Sequence, residues 1–193
     1  MTSCTVSAAI LAGGRATRFE GRDKSALAID GRTILDRQVE ALAPITGDIL
    51  IVGRATHPGA RTITDRVADC GPLGGLDAAL TAAHGDTVIL LACDMPFVTS
   101  AFLAHLVDLA ADTAVDVVVP ETERGYHPLC AVYRRTVADR AARRLDMRRL
   151  KMIDMLAELR VRVVPSAEVE RFGDRNRLLA NVNTPADLTD LNH

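Results

Sequence analysis

The chain has 193 residues, 48% of them hydrophobic and 25% charged, with 23 basic against 25 acidic side chains. That length predicts one domain with a sizeable core, and that composition excludes a disordered chain. A net charge of -2 excludes a bulk basic field for nucleic acid, and apolar runs broken by charge, Gly or Pro exclude a membrane-spanning helix.

Strand-length apolar runs alternate with amphipathic stretches along the chain. Val6–Ala12 has no basic region before it and is short for a signal-peptide core, so it reads as a buried strand. Thr33–Ala43 reads as a helix, Ile49–Val52 as a strand, and Arg61–Asp65 as a weaker strand. Leu73–His84 is a helix preceded by Pro72; Val88–Cys93 is a strand; Ser100–Ala111 is a helix capped by Thr99 or Ser100. Val115–Val119 is the next strand, Glu121–Pro128 a loop, and Leu129–Tyr133 a further strand. Thr136–Leu145 and Arg148–Leu159 read as helices, Arg160–Val164 as extended, and Thr184–Leu191 as a final helix. Continuous apolar strands alternating with helices predict a single-domain, Rossmann-like open sheet, mostly parallel, with helices on both faces. Cys4, Cys70, Cys93 and Cys130 form no CxxC and read as small buried residues of a reduced, cytoplasmic protein.

Open α/β sheets bind ligands beyond the carboxyl ends of their strands, so the loops after the apolar runs hold the candidate chemistry. The first runs from Leu11 through Ala12, Gly13 and Gly14 to Lys24 and contains Arg15, Arg18 and Arg22. Paired glycines allow a turn whose N–H groups face an anion, and Lys24, one of only two lysines, is a compact charge suited to a phosphate oxygen. A solvated turn with surface arginines is the alternative. The loop contains no GxGxxG, and no Gly-Lys pair occurs in the chain, which argues against a dinucleotide fingerprint and excludes a Walker A loop. The second loop, Asp65 to Gly75, contains Gly71-Pro72-Leu73-Gly74-Gly75. Glycines in a first helical turn cost about 1 kcal/mol each, a cost that close approach to a ligand would explain, as would a tight loop-to-helix junction. The third ends an apolar strand in Cys93-Asp94-Met95-Pro96-Phe97. A strand-end carboxylate can hold Mg²⁺ together with substrate phosphates, or can cap the next helix. A basic glycine loop and a strand-end Asp together point to phosphoryl or nucleotidyl transfer.

At these loops the sequence resembles the molybdenum cofactor guanylyltransferases, nucleotidyltransferases with an LAGGxxxRM…K loop. LAGGRATRFEGRDK, Asp65…GPLGG and Cys93-Asp94-Met95-Pro96-Phe97 match in order, as do His127-Pro128 and Asn181-Val182-Asn183-Thr184-Pro185. The resemblance implies GMP transfer from GTP to the terminal phosphate of molybdopterin or molybdenum-molybdopterin, with Mg²⁺ as cofactor. It implies that Leu11, Ala12, Gly13 and Gly14 line the nucleoside and that Lys24 and Arg18 neutralise phosphates. Asp65, Gly71, Pro72 and Leu73 would flank the nucleoside, Asp94 would hold the metal, and His127, Asn181 and Asn183 would face molybdopterin. Arg148 and Arg149 resemble a basic pair on that side, or form an ordinary solvated helix face. Residues 1–112 would then carry the GTP and metal side and 113–193 the molybdopterin side of one domain, 1–193. Molybdenum-cofactor biosynthesis proteins and apo-molybdoenzymes are the implied protein partners. Phe19 stands for the usual Met, Glu20 for a common Gly, and Val52 where many relatives carry a polar residue near the nucleoside. A CTP-dependent cytidylyltransferase and a non-catalytic nucleotide- or cofactor-binding accessory protein are the competing readings. A sugar-1-phosphate nucleotidyltransferase would need a larger second half.

Overall fold

Strand alternation divides the buried residues between two cores. Along β1 (Val6–Ala12), Ala8, Ile10 and Ala12 face one side of the sheet and Ala9 the other, each nearly or fully buried. This is the pattern of a strand covered on both faces. The computed structural model describes residues 5–13, 18–19, 22–23, 28–64, 66–67, 69–182 and 187. Two short hairpins, β2 (Arg18–Phe19) with β3 (Arg22–Asp23) and β4 (Ala28–Ile29) with β5 (Arg32–Thr33), follow β1. Then come α1 (Ile34–Leu42), β6 (Ile49–Gly53), β7 (Arg61–Ile63), α2 (Gly71–Ala82), β8 (Thr87–Ala92), α3 (Ser100–Ala110) and β9 (Val117–Thr122). The chain continues through β10 (Gly125–Tyr126), β11 (Cys130–Arg134), a 3-10 turn at Arg135–Val137, α4 (Ala138–Asp146) and α5 (Met152–Leu156). It ends in β12 (Val161–Val164), α6 (Ser166–Val169), a second 3-10 turn at Glu170–Phe172 and α7 (Arg175–Leu178).

The main sheet has the order β7-β6-β1-β8-β11-β9. The outer edge of β9 pairs with β12 over Val117–Pro120 and with β10 over Glu121–Thr122. β7, β6, β1 and β8 are parallel, whereas β11 runs antiparallel between β8 and β9. Thr33 caps α1 in a reciprocal box: its side chain accepts from Asp36 N at 3.0 Å, and Asp36 accepts from Thr33 N at 3.2 Å. Leu35 and Val39 of α1 join Phe102, Leu103 and Leu106 of α3 on one face of the sheet. Leu73, Leu76 and Leu80 of α2 join Leu145 of α4 and Met155 of α5 on the other. The result is the predicted α/β sandwich, mostly parallel.

Three expectations need correction. The loop read over 121–128 is a strand end and a hairpin arm, because Thr122 and Gly125 pair and fold β10 back on β9. The helix read over 148–159 is only α5, at Met152–Leu156. Its first residues instead wrap the buried Arg144 guanidinium, which donates to Arg149 O at 3.2 Å and to Lys151 O at 3.5 Å and pairs with Glu158. The brief helices α6 and α7 were not anticipated, being shorter than one amphipathic period can reveal. The final helix read over 184–191 lies outside the described residues apart from Asp187. Cys70, Cys93 and Cys130 are buried, as read, and Cys4 lies outside the described residues. Among the described residues no helix is long and apolar enough to cross a membrane.

At the amino end of the sheet, Asp48 ties together three segments. It accepts hydrogen bonds from Ser7 Oγ, from Arg61 Nε at 2.9 Å and from His84 N at 3.0 Å. Burial would raise its carboxyl, but the Arg61, Ser7 and His84 bonds and the Arg61 charge outweigh burial and hold it at about 2, down from 3.8. A folded-state value below the unfolded one stabilises the fold above the unfolded pKa, and that stability is lost as pH falls through the folded value. Asp48→Asn is expected to cost about 2 kcal/mol at neutral pH. Urea unfolding of both proteins should show this difference shrinking as pH is lowered from about 5 towards 2.

Candidate active site

The strand order reverses beside β1. After β1 the chain moves outward through β6 and β7, then returns to place β8 on the other side of β1. The crevice beyond the carboxyl ends of β1 and β8 is therefore the topological switch point, where open sheets of this kind bind ligands. The two strand ends remain joined past the regular ladder, with Cys93 N donating to Leu11 O at 3.2 Å. The first and third sequence motifs are thus neighbours at one crevice.

Gly13 follows β1 and is exposed there. Behind it stands Gly53, at the end of β6, with φ +139°. A Cβ on Gly53 would lie 2.5 Å from Ala12 O and 2.9 Å from Gly13 N, so only glycine lets these two strand ends meet. Sequence reasoning missed Gly53, whose single signal was a glycine closing an apolar run. Val52, at the position where many relatives were read as carrying a polar residue near the nucleoside, is 2% exposed and packs in the core with α2.

α2 begins at the same edge. Asp69 and Gly71 both take left-handed backbone, at φ +58° each, and turn the chain into Pro72 and the first helical turn. Among the described residues no side chain caps this helix, and a helix start of this kind can present its leading N–H groups to an anion. The glycines in that turn meet protein. A Cβ on Gly75 would lie 2.7 Å from Leu11 Cδ2, and one on Gly74 would lie 3.0 Å from Cys70 Cβ. Their cost serves the packing of α2 onto β1, which is the tight-junction alternative. Arg148, also left-handed at φ +55°, reaches this turn and places its guanidinium 3.5 Å from Cys70 Sγ. It lies on the turn after α4, so neither Arg148 nor Arg149 belongs to a helix face.

Asp94 sits on the turn leaving β8 and is half-buried. The turn is tied to the rest of the molecule on several sides. Gln38 of α1 donates from Nε2 to Ala92 O at 2.7 Å and to Met95 O at 3.1 Å. Ala92 N donates to Leu129 O at 2.8 Å, and Val182 N donates to Asp94 O at 2.7 Å. Val182 packs with Ile29, Ile34 and Phe97, and the Arg177 guanidinium lies over the Phe97 ring at 4.4 Å. Exposed Asn181 therefore stands beside the Asp94 turn. As for an N-cap role, the cap of α3 is Thr99, whose side chain accepts from Phe102 N at 3.3 Å.

His127 reaches the same edge through antiparallel register, since Cys130 pairs with Leu91. Its N donates to Pro120 O at 2.9 Å, and its Nε2 lies 2.9 Å from Thr122 Oγ1. Burial first, and then the charge of Arg124, lower its pKa, which keeps the ring neutral at physiological pH. Pro128 is held by Tyr133, which donates from its buried hydroxyl to Pro128 O at 2.8 Å. Leu11, Ala12, Gly13, Gly71, Pro72, Leu73, Asp94, His127 and Asn181 thus share one sheet edge. Gly14, Lys24, Asp65 and Asn183 lie outside the described residues, as do Glu20 and the side chains of Arg18 and Phe19.

Among the described residues no three His, Cys, Asp or Glu side chains cluster as a metal cage. A lone strand-end carboxylate instead fits a hard divalent ion that takes its other ligands from phosphates and water. Main-chain donors, a helix start and one such carboxylate at a switch point define the class: an α/β nucleotide-binding protein equipped to handle phosphates. The chain belongs to the MobA-like NTP transferase domain family, whose model matches residues 8–163, and it is a nucleotidyltransferase. Such enzymes generally use a divalent metal. The chain is 32% identical over 187 residues to a protein of Desulfosudis oleivorans named molybdenum cofactor guanylyltransferase, covering 95% of this chain and 92% of that one. A protein of Carboxydothermus hydrogenoformans named probable molybdenum cofactor guanylyltransferase is 30% identical, covering 96% and 94% of the two chains. Among solved structures, the molybdopterin-guanine dinucleotide biosynthesis protein A of Archaeoglobus fulgidus superposes with a TM-score of 0.81 at 26% identity, over 96% of each chain.

Proposed function

We propose that the protein transfers GMP from GTP to the terminal phosphate of molybdopterin, with or without molybdenum bound, and releases pyrophosphate. The observation that carries this reading is full-length similarity to a named guanylyltransferase, at 32% identity over 95% of the chain. The gathering of the ordered motifs at one switch-point crevice supports it. In this reading residues 1–112 form the nucleotide and metal side, and 113–193 form the acceptor side of a single domain. Ala12 and Gly13 offer main-chain groups to the nucleotide, and the start of α2 offers the N–H groups of Gly71 and Leu73 beside it, with Pro72, which has no N–H, between them. Lys24 and Arg18 neutralise the triphosphate, Asp65 and Gly14 complete the nucleotide pocket, and His127, Asn181 and Asn183 face the acceptor. Asp94 holds Mg²⁺, which when bound supplies charge neutralisation at the phosphates.

An oxygen of the acceptor phosphate forms the new P–O bond at the α-phosphorus of GTP, while the bond to the β-phosphate breaks and pyrophosphate leaves with its electron pair. The attacking phosphate is already ionised at neutral pH, so no side-chain base is needed. The protein's work is to hold two anions together in line. The neutral His127 ring fits this demand as a hydrogen-bonding group that neither repels cations nor takes a proton. The reading implies a cytoplasmic enzyme acting among molybdenum-cofactor biosynthesis proteins and apo-molybdoenzymes.

The test is pyrophosphate release by the purified protein with molybdopterin, Mg²⁺, and GTP or CTP in parallel. Release with GTP alone is the expected result. Release with CTP alone would overturn the choice of base, and nucleotide binding without release under either condition would favour a non-catalytic accessory protein.

A further inference from the structure

We propose that Gln38 is a positioning residue that fixes the Asp94 turn for divalent-metal binding. The inference rests on Asp94 as the metal-holding carboxylate. Gln38 is fully buried in the middle of α1, where the helix face it occupies is otherwise apolar: Leu35, Val39 and Leu42. An unsatisfied primary amide at such a place is costly to bury, and a hydrocarbon side chain would serve packing alone. The amide nitrogen spends both its N–H groups on Ala92 O and Met95 O. Those two carbonyls bracket Cys93 and Asp94, so the amide spans the turn from behind. Its Oε1 is buried with no hydrogen-bond partner among the described residues, so the donor end is what the site uses.

Main-chain bonds also hold this turn: Cys93 N to Leu11 O, Ala92 N to Leu129 O, Met95 N to Ala92 O and Val182 N to Asp94 O. Gln38 supplies a side-chain tie, which a substitution can remove without touching the ladder. Its two bonds hold the Ala92–Cys93 and Met95–Pro96 peptides at the two ends of the turn, so losing it loosens the frame from which the Asp94 carboxylate projects. Partners that orient a metal ligand from behind typically set metal affinity or activity by about 10- to 100-fold.

The experiment titrates Mn²⁺ against the full-length protein with GTP present, reading free Mn²⁺ by electron paramagnetic resonance, for wild type, Gln38→Met, Gln38→Glu and Asp94→Asn. Gln38→Met keeps length and packing and removes both donors; it should weaken Mn²⁺ binding by about 10-fold. Gln38→Glu keeps the shape but turns a donor into an acceptor facing two carbonyls, so it should weaken binding further. Amide hydrogen exchange at residues 93–95 should accelerate in both variants, and the KM for GTP at saturating metal should stay within about twofold of wild type. Mn²⁺ binding within about twofold of wild type in both Gln38 variants, with Asp94→Asn losing it, would overturn the role of Gln38 while leaving that of Asp94 standing. Unchanged binding in Asp94→Asn would overturn the metal assignment and the Gln38 proposal with it.

Discussion

Asp94→Asn is expected to lower pyrophosphate release by roughly 1,000-fold and to leave the residual rate insensitive to added Mg²⁺. The size follows from the chemistry. Two phosphate anions must approach while a third charge leaves, and metal-held neutralisation of that charge contributes several kcal/mol, each 1.36 kcal/mol being a factor of ten in rate. An amide oxygen in place of the carboxylate keeps the shape and removes the charge that attracts a hard cation. The fold should survive, because the carbonyls of Ala92, Asp94 and Met95 and the amides of Ala92 and Cys93 tie the turn to its surroundings whichever side chain stands at 94. Thermal unfolding should therefore remain cooperative, with a midpoint shifted by only about 2 °C. Full turnover with an intact metal requirement in this variant would remove Asp94 from the metal site.

The second large effect is on stability. Gly53→Ala should destabilise the protein by roughly 3 kcal/mol, the sum of a left-handed backbone forced on a residue with a Cβ and a main-chain collision that no rotamer relieves. The new Cβ would sit 2.5 Å from Ala12 O and 2.7 Å from Ala12 C, and both are backbone atoms of the neighbouring parallel strand. For a chain of this length the unfolding midpoint should fall by about 6–12 °C. The strand ends can accept the methyl only by separating, which moves Ala12 and Gly13, so the KM for GTP should rise as well. Gly31→Ala is the control. Its φ is +78°, but its Cβ would meet nothing within 4 Å. It should cost only about 1 kcal/mol, the backbone strain alone. Equal losses in the two variants would show that the contact between β1 and β6 is not tight.

The elements that were legible in the sequence were those whose signal is local. β1 was read at Val6–Ala12 and is found there, because a strand buried on both faces is a continuous apolar run. α1 was read at Thr33–Ala43 from its amphipathic pattern and is found at Ile34–Leu42, while the reciprocal Thr33–Asp36 box that starts it was not read. Asp94 was legible because a carboxylate directly after a wholly buried strand can lie only at the ligand-facing edge. The stretch from 148 to 159 was not legible: a helical pattern there yields to the buried Arg144, which gathers the carbonyls of Arg149 and Lys151. A guanidinium's choice of partners fourteen residues away, at Glu158, leaves no periodic trace. The cost of Gly74 and Gly75 was visible in the chain, but its cause, the approach of Leu11 and Cys70, was not.

By itself the sequence determined the class of fold, the order of the strands along the chain, and the three loops that carry polar chemistry after apolar runs. These follow from burial and from main-chain geometry, both written in residue type and short-range spacing. Only the tertiary structure decided which loops meet. Parallel pairing of β1 with β8 sets Cys93 against Leu11, antiparallel pairing of β11 with β8 brings His127 to the same edge, and Val182 returns from the far end of the chain to Asp94. Strand order is settled by how the helices cover both faces of the whole sheet at once, and a contact between residues eighty or more positions apart has no pattern in the sequence that lies between them.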